Sequence, residues 1–268
     1  MDQHALTVQQ FGSTATRYLA SPVHSSGADL DRLARLARES RISSALDLGC
    51  GAGHASYALA RGGANRVVAY DLSEQMLEVA AAEAKERGHG QIEFCAGPAE
   101  QLPFPDASFD LVVTRYSAHH WMNALGAVHE AARILKPGGM LIVIDVLAPE
   151  NPLMDTVLQT VEILRDLSHV RDYRESEWRS MLEAANFSSP CVHRWRLQME
   201  FDSWVARIRT TPARVDALKV VLDELPSEAR EYFAVRRDRS FDVDSGWLEA
   251  RRRAPAGGRG IGNTPAVS

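Results

Sequence analysis

The hydrophobic pattern of this chain changes character at residue 42. Before it, apolar positions follow helical spacing. ALTVQQFGSTATRYLA is a mixed stretch broken by Gly12 and stopped at Ser21-Pro22. ADLDRLARLARES sets Leu30, Leu33, Leu36 and Ala37 on one face, with arginines and acids opposite. From Ile42 onward, short apolar runs alternate with amphipathic stretches. ISSALDLGC, NRVVAYDLS, QIEFCAG, FDLVVTRY and GGMLIVIDVLA read as strands, and HASYALARG, SEQMLEVAAAEAKERG and NALGAVHEAARILK as helices between them. Ser73 is placed to cap a helix, Gly88 to end it, and a Lys-Pro-Gly-Gly turn leads into the fifth strand. Apolar runs of this kind, alternating with helices, predict a doubly wound, mostly parallel α/β sheet covered on both faces.

After Pro149 the alternation loosens. NPLMDTVLQTVEILRDL, SEWRSMLEAANF, SWVARIRTTP, ARVDALKVVLDEL and SEAREYFAVRR read as helices, CVHRWRLQMEF as a strand, and RSFDVDSGWLEA as a return to the sheet. The expected organisation is a helical N-terminal lid over residues 1–40 and an α/β core over 41–148. A helical cap with the last strands follows over 149–250, and a Gly/Pro/Ala-rich disordered tail over 251–268.

Composition narrows the function classes. Of 268 residues, 45% are hydrophobic and 24% charged, enough to fill a core. A formal charge of −5 excludes a polycation built for phosphates. No run of about 18 apolar residues is present, so no membrane-spanning helix is expected. MDQHALTVQQ has an early acid and no apolar centre, unlike a secretory signal. Three well-separated cysteines, Cys50, Cys95 and Cys191, suit a reducing cytoplasm better than a disulfide scaffold. The late arginines (Arg236, Arg237 and Arg239, then Arg251, Arg252 and Arg253) lack interleaved aromatics and read as a solvated run, so nucleic acid is not an expected partner.

The sharpest local signal is Ala45-Leu46-Asp47-Leu48-Gly49-Cys50-Gly51-Ala52-Gly53-His54, a strand entering a loop with glycine at every second position. Glycine permits a tight turn and close approach of backbone to a ligand. A dinucleotide fingerprint, G-x-G-x-x-G, requires its third glycine where His54 stands, and Asp47 before the loop opposes a pyrophosphate. A nicotinamide oxidoreductase is therefore the disfavoured reading. Asp47 instead suits a cationic ligand group.

LDLGCGAG resembles motif I of the class I S-adenosylmethionine-dependent methyltransferases. VVAYDLSEQMLEVA, AEQLPFPDASFDLVV and EAARILKPGGMLIVID are similar, in order and spacing, to further segments of the small-molecule subgroup (methyltransferase type 11 domain) that includes the ubiquinone and menaquinone C-methyltransferases. The resemblance covers about residues 42–148 and implies a seven-stranded Rossmann-like sheet, S-adenosylmethionine as cofactor and S-adenosylhomocysteine as product. It implies that Gly49, Cys50, Gly51 and Gly53 pass beside the methionine part. Asp47 supports the loop or faces the ammonium, and Asp71 accepts the ribose hydroxyls. Leu72 and Met76 face the adenine, the Ala99 N–H serves its edge, and Tyr18 closes over the cofactor. Family members often have Asp where this chain has Pro98, which offers neither acceptor nor N–H; Glu100 is the expected substitute.

Sulfonium chemistry needs alignment of a nucleophile at about 3–3.5 Å and exclusion of water. The fourth strand runs out in Thr114-Arg115-Tyr116-Ser117-Ala118-His119-His120-Trp121, at the carboxyl edge where ligands bind in open parallel sheets. His119 or His120 is expected to orient or deprotonate the acceptor, and Arg115 or Tyr116 to bind cofactor or substrate. No metal site is expected: adjacent histidines diverge in an extended segment, and that loop holds no acid. Trp178, Trp195, Phe201, Trp204, Tyr232 and Phe233 either line an acceptor site or pack the insertion. Arg207 and Arg209 lie on different faces of their helix. The expected activity is methyl transfer to a small organic acceptor, aromatic, quinone-like or heterocyclic. The alternatives are a non-catalytic protein binding S-adenosylmethionine or S-adenosylhomocysteine, and a methyltransferase acting on RNA or protein.

Overall fold

The computed structural model describes residues 2–12 and 27–254. Tyr18 and residues 255–268 of the expected tail lie outside the described residues. The strands are β1 (Ser44–Leu48), β2 (Arg66–Asp71), β3 (Ile92–Ala96), β4 (Phe109–Arg115), β5 (Leu135–Val146), β6 (Cys191–Met199) and β7 (Phe241–Arg251). They form a seven-stranded sheet in the order β3-β2-β1-β4-β5-β7-β6, in which β7 runs antiparallel to both neighbours. The described helices are α1 (Gln3–Gly12), α2 (Ala28–Glu39), α3 (His54–Arg61), α4 (Glu74–Glu86), α5 (Ala124–Ile134), α6 (Pro152–Arg165), α7 (Glu175–Ala184), α8 (Phe201–Arg207), α9 (Pro212–Asp223) and α10 (Ser227–Tyr232). Among the described residues, no helix is long and apolar enough to cross a membrane.

The two-residue period of a strand sends alternate side chains to opposite faces. Leu46, Leu48, Val68, Val112, Leu141 and Val143 therefore join one apolar layer, under α5 and α7. Ala45, Val67, Ala69, Leu111, Val113, Ile142 and Ile144 join the other, under α2 and α3. The chain winds outward from β1 through β2 to β3, then crosses back to place β4 on the far side of β1. That reversal opens a crevice at the carboxyl ends of β1 and β4, the place where doubly wound sheets bind ligands.

The expected 1–40 lid divides in two. On α2, Leu30, Leu33, Ala34 and Ala37 are buried in the sheet-facing core, so this helix is a structural layer. No residue of α1 is buried, and His4, Thr7 and Phe11 of α1 border the crevice instead. The Lys-Pro-Gly-Gly segment does not precede β5 but lies inside it, as an irregularity where pairing jumps from Phe109↔Leu135 to Leu111↔Met140. The first residues of the expected tail belong to the sheet: Arg251 completes β7 and Arg252 bridges to Phe187. The helices inserted among the late strands are as expected. α8, α9 and α10 lie between β6 and β7, and Trp204, Leu218 and Phe233 pack with Leu158 of α6 in a separate apolar cluster.

Leu33 tests the placement of α2, because it is fully buried. Leu33→Ala is expected to lower unfolding stability by about 2–5 kcal/mol in urea titration, as for a core leucine. A loss below about 0.5 kcal/mol would make α2 a surface lid after all.

Candidate active site

The crevice is a cleft of about 1000 Å³, part of it open to solvent. Its wall includes Asp47, Gly49, Cys50, Gly51, Asp71, Leu72, Met76, Ala99, Glu100 and Arg115, so the structure gathers ten of the residues named from sequence in one place. Gly53 stands behind the wall. There it allows Tyr57 to approach: a Cβ at Gly53 would lie 2.7 Å from the Tyr57 hydroxyl. Tyr57 in turn donates to the carbonyls of Ala52 or Ala80, both 2.9 Å away.

The loop leaving β1 is stitched to the end of β2. The N–H groups of Gly49 and Cys50 both donate to the Tyr70 carbonyl, at 2.7 and 3.0 Å. Gly51 N–H donates to Asp71 Oδ2 at 2.8 Å, and Ser73 N–H to Oδ1 at 2.9 Å. Gly49 must be glycine on two counts: its φ is +76°, and a Cβ would fall 1.9 Å from Ser117 Oγ. A Cβ at Gly51, by contrast, would meet nothing within 4 Å among the described residues. Burial raises the Asp71 pKa, while the N–H groups of Ser73, Gly51 and Leu72 pull it down. A carboxylate has about four lone-pair sites, so Asp71 retains acceptor capacity beyond these bonds.

Asp47 is buried beneath the loop. Its Oδ2 accepts from Ser56 N–H (2.8 Å) and Ser56 Oγ (2.7 Å) at the start of α3, but its Oδ1 is buried with no hydrogen-bond partner among the described residues. Burial pushes its pKa up to about 6, against the pull of both Ser56 bonds. An orphaned carboxylate oxygen on a cleft wall fits a cationic group of a ligand. Together with the acceptor capacity of Asp71 and the open face at Gly51, this set suits a nucleoside carrying a ribose diol and an ammonium. Burial also pushes the Cys50 thiol well up, which keeps it protonated and unreactive.

Two expected contacts are already engaged. Glu100 Oε1 accepts from Asn123 N–H at 3.1 Å, and its Oε2 lies 3.9 Å from His4 Nε2 of α1. Arg115 Nε lies 2.6 Å from Asp29 Oδ2, tying the end of β4 to α2. Next to it, Tyr116 has φ +50°, a costly conformation for an aromatic residue. It is held by its N–H on the Ile144 carbonyl (2.7 Å) and its hydroxyl 3.1 Å from Ser245 Oγ.

A second cavity of about 560 Å³, also partly open, is bordered by Phe11, Tyr116, His119, His120, Val146, Glu162, Arg165, Asp172, Leu197, Met199, Trp204 and Arg207. Phe11, Tyr116 and His120 border both spaces. Trp204 contributes to this wall, whereas Trp178, Phe201 and Phe233 are buried in the core. Arg207 reaches the cavity and Arg209 is exposed, but helical spacing does not set them apart: α8 ends at Arg207, and Arg209 lies in the turn beyond it with φ +56°.

Tertiary contacts make the paired histidines unlike each other. His119 Nδ1 lies 2.7 Å from Asp145 Oδ1. Burial works against its charge, but the Asp145 carboxylate overrides it and lifts the pKa to about 9. His120 Nδ1 lies 3.0 Å from the Ser168 carbonyl. A carbonyl cannot donate, so this nitrogen carries the proton and Nε2 keeps its lone pair. Burial, with the His119 charge beside it, pushes His120 down to about 4. His169, given no role from sequence, is pushed by burial down to about 2, and its Nε2 lies 3.0 Å from Gln159 Oε1.

Asp145, Glu162 and Asp172 escaped the sequence reading. A signal existed for Asp145, the one charge in the apolar run Met140–Leu147. Asp172 offered none, since nothing in HVRDY fixes where the loop returns. The premise that no acid joins the histidines holds along the chain but fails in space. His119, Asp145 and Asp172 each present a donor atom within 4.8 Å of the others.

The sequence model described as "Methyltransferase domain" matches residues 46–143 of this chain. The uncharacterized protein YafE of Escherichia coli K12 is 47% identical over 188 residues, 70% of this chain and 91% of that protein. The uncharacterized methyltransferase YcgJ of Bacillus subtilis is 36% identical over 240 residues, 90% of this chain and 94% of that protein. The YcgJ crystal structure superposes with a TM-score of 0.78 at 32% identity, covering 84% of this chain and 99% of that one. A demethylmenaquinone methyltransferase of Lactococcus lactis is 39% identical over 112 residues, 41% of this chain and 44% of that protein. With its sheet order, its glycine loop and these relatives, the chain belongs to the class I methyltransferases of the methyltransferase type 11 domain family.

Proposed function

We propose that this protein transfers a methyl group from S-adenosylmethionine to a small organic acceptor of aromatic, quinone-like or heterocyclic character. The observation that carries this reading is the meeting of the two cavities at Phe11, Tyr116 and His120. The first cleft has the acceptors a sulfonium nucleoside requires. The second has the size of a small-molecule site and is walled partly by Phe11, Tyr116, Leu197 and Trp204. The Lactococcus relative, a demethylmenaquinone methyltransferase, supports an acceptor with a quinone-like ring.

The cofactor, when bound, supplies a methyl group activated by its sulfonium. The chain's part is then alignment, dehydration and proton management. Asp71 accepts the ribose hydroxyls and Asp47 Oδ1 the ammonium, and the bare backbone at Gly51 permits close approach. Phe11 and Tyr116 hold the acceptor ring at the junction. His120 Nε2, whose lone pair the Ser168 carbonyl keeps available, would take up the proton that the acceptor loses on methylation.

The direct test incubates the protein with methyl-labelled S-adenosylmethionine and, separately, quinols, phenols, heterocycles, RNA and protein. Label is expected in a small molecule. Label in RNA or protein, or cofactor binding without transfer to any acceptor, would replace this reading with one of its alternatives. Asp71→Ala is expected to weaken S-adenosylhomocysteine binding at least about tenfold by calorimetry, as loss of charge-assisted hydrogen bonds to the sugar requires. His120→Ala is expected to lower kcat by about 10²–10⁴ while cofactor binding persists; unchanged turnover would remove His120 from the proton path.

The raised pKa of Asp47 sets a pH dependence. Because the folded value (about 6) exceeds the free value of 3.8, burial favours the protonated acid. Its contribution to stability is present below the free value and is lost as pH rises through about 6. A bound ammonium favours the carboxylate, so cofactor affinity is expected to increase as pH rises through that range. Asp47→Asn should flatten this profile, and a profile unchanged in that variant would show that Asp47 does not face the ammonium.

A further inference from the structure

Behind His120, away from the glycine loop, the second cavity ends in a group of buried acids that methyl transfer does not use. We infer that His119, Asp145 and Asp172 form a binding site for a first-row divalent metal ion in the wall of that cavity. Three separate elements bring the donors together: the turn after β4, the end of β5, and the loop between α6 and α7. One donor atom of each lies within 4.8 Å of the others. An ion with bonds of about 2.1 Å spans up to about 4.2 Å between opposite ligands, so small side-chain shifts close the site.

Asp172 supplies the independent sign of a ligand. Its side chain is 2% exposed and lies on the cavity wall, yet Oδ2 has no hydrogen-bond partner among the described residues. Among the described residues the nearest side-chain nitrogen that could pair with it, His169 Nε2, is 4.0 Å away and lies closer, at 3.0 Å, to Gln159 Oε1. Local charge agrees. Asp145, Glu162, Asp166 and Asp172 are all buried here. The guanidinium groups on the cavity wall are Arg165, 3.7 Å from Glu162, and Arg207. Arg171 is committed to Asp155 and Glu177.

One imidazole and two carboxylates favour a transition metal such as manganese(II) or zinc(II) over magnesium, which prefers oxygen ligands alone. His119 and Asp172 border the cavity, so the ion's remaining positions face the space offered to an acceptor and suit an oxygen atom of that molecule or water.

The test uses the full chain, freed of metal by chelation, with manganese chloride alone, followed by electron paramagnetic resonance of free manganese and by calorimetry. One ion per chain is expected, with affinity reduced at least about tenfold in both Asp172→Asn and His119→Gln. Native-like circular dichroism and retained S-adenosylhomocysteine binding in those variants separate ligand loss from unfolding. A variant that fails this check is replaced by Asp145→Asn. No binding below about 1 mM, or equal binding by folded variants, overturns the proposal. Because manganese uptake is read without turnover, failure here leaves the methyl-transfer reading standing, and failure of methyl transfer leaves the metal site standing.

Discussion

The glycine loop owes its shape to being pinned to the end of β2. Three successive N–H groups, those of Gly49, Cys50 and Gly51, terminate on Tyr70 and Asp71. A loop of this composition, free in solution, has a large conformational entropy. Tied to a neighbouring parallel strand, it becomes a rigid edge for a ligand. The same contact fixes Asp71 at that edge, so backbone order and the carboxylate facing the cleft arise together. The parallel pairing of β1 with β2 brings the two ends level, with Leu48 opposite Tyr70.

The site accumulates local costs that a purely structural core would avoid. Among the described residues Asp47 Oδ1 and Asp172 Oδ2 are buried without a partner, and Tyr116 adopts a left-handed backbone conformation. Each cost lies at the carboxyl edge of the sheet or in the loops packed on it, whereas the sheet interior is almost wholly apolar. Ligand binding can relieve such costs: a cation beside Asp47 or Asp172 provides the partner that the folded chain lacks. The strain at Tyr116 points its ring to the junction of the two cavities, and hydrogen bonds to β5 and β7 keep it there.

The N-terminal segment shows how one helical pattern serves different ends. In α2 the apolar face is completed by a sheet, and the Asp29–Arg115 pair fixes its first turn to β4. In α1 no comparable face is buried. That helix is held by side-chain hydrogen bonds, Gln3 to the Ser168 carbonyl (2.6 Å) and Gln10 to the Ile208 carbonyl (2.7 Å), and by Phe11 edge-on to His120 at 4.7 Å. Solvent-accessible bonds of that kind open more readily than a packed core. The helix that borders the junction thus has no buried residue of its own.

The strands of the core, the placement of the glycine loop and the carboxylate ending β2 were legible in sequence because each rests on local patterning: apolar runs, a Gly alternation, an acid at a strand end. Local patterning likewise located the helices of the insertion. It did not tell α1 from α2, since a lid and a core layer share the same spacing and differ only in what covers them. Nor did it separate His119 from His120, neighbours in sequence whose pKa values tertiary contacts move in opposite directions, His119 up through Asp145 of β5 and His120 down through burial beside the His119 charge. The gathering of Asp145, Glu162 and Asp172 around them belongs to tertiary structure alone. Electrostatic interactions depend on distance through space, and these acids are brought together by a crossover and a loop whose paths no short-range pattern encodes.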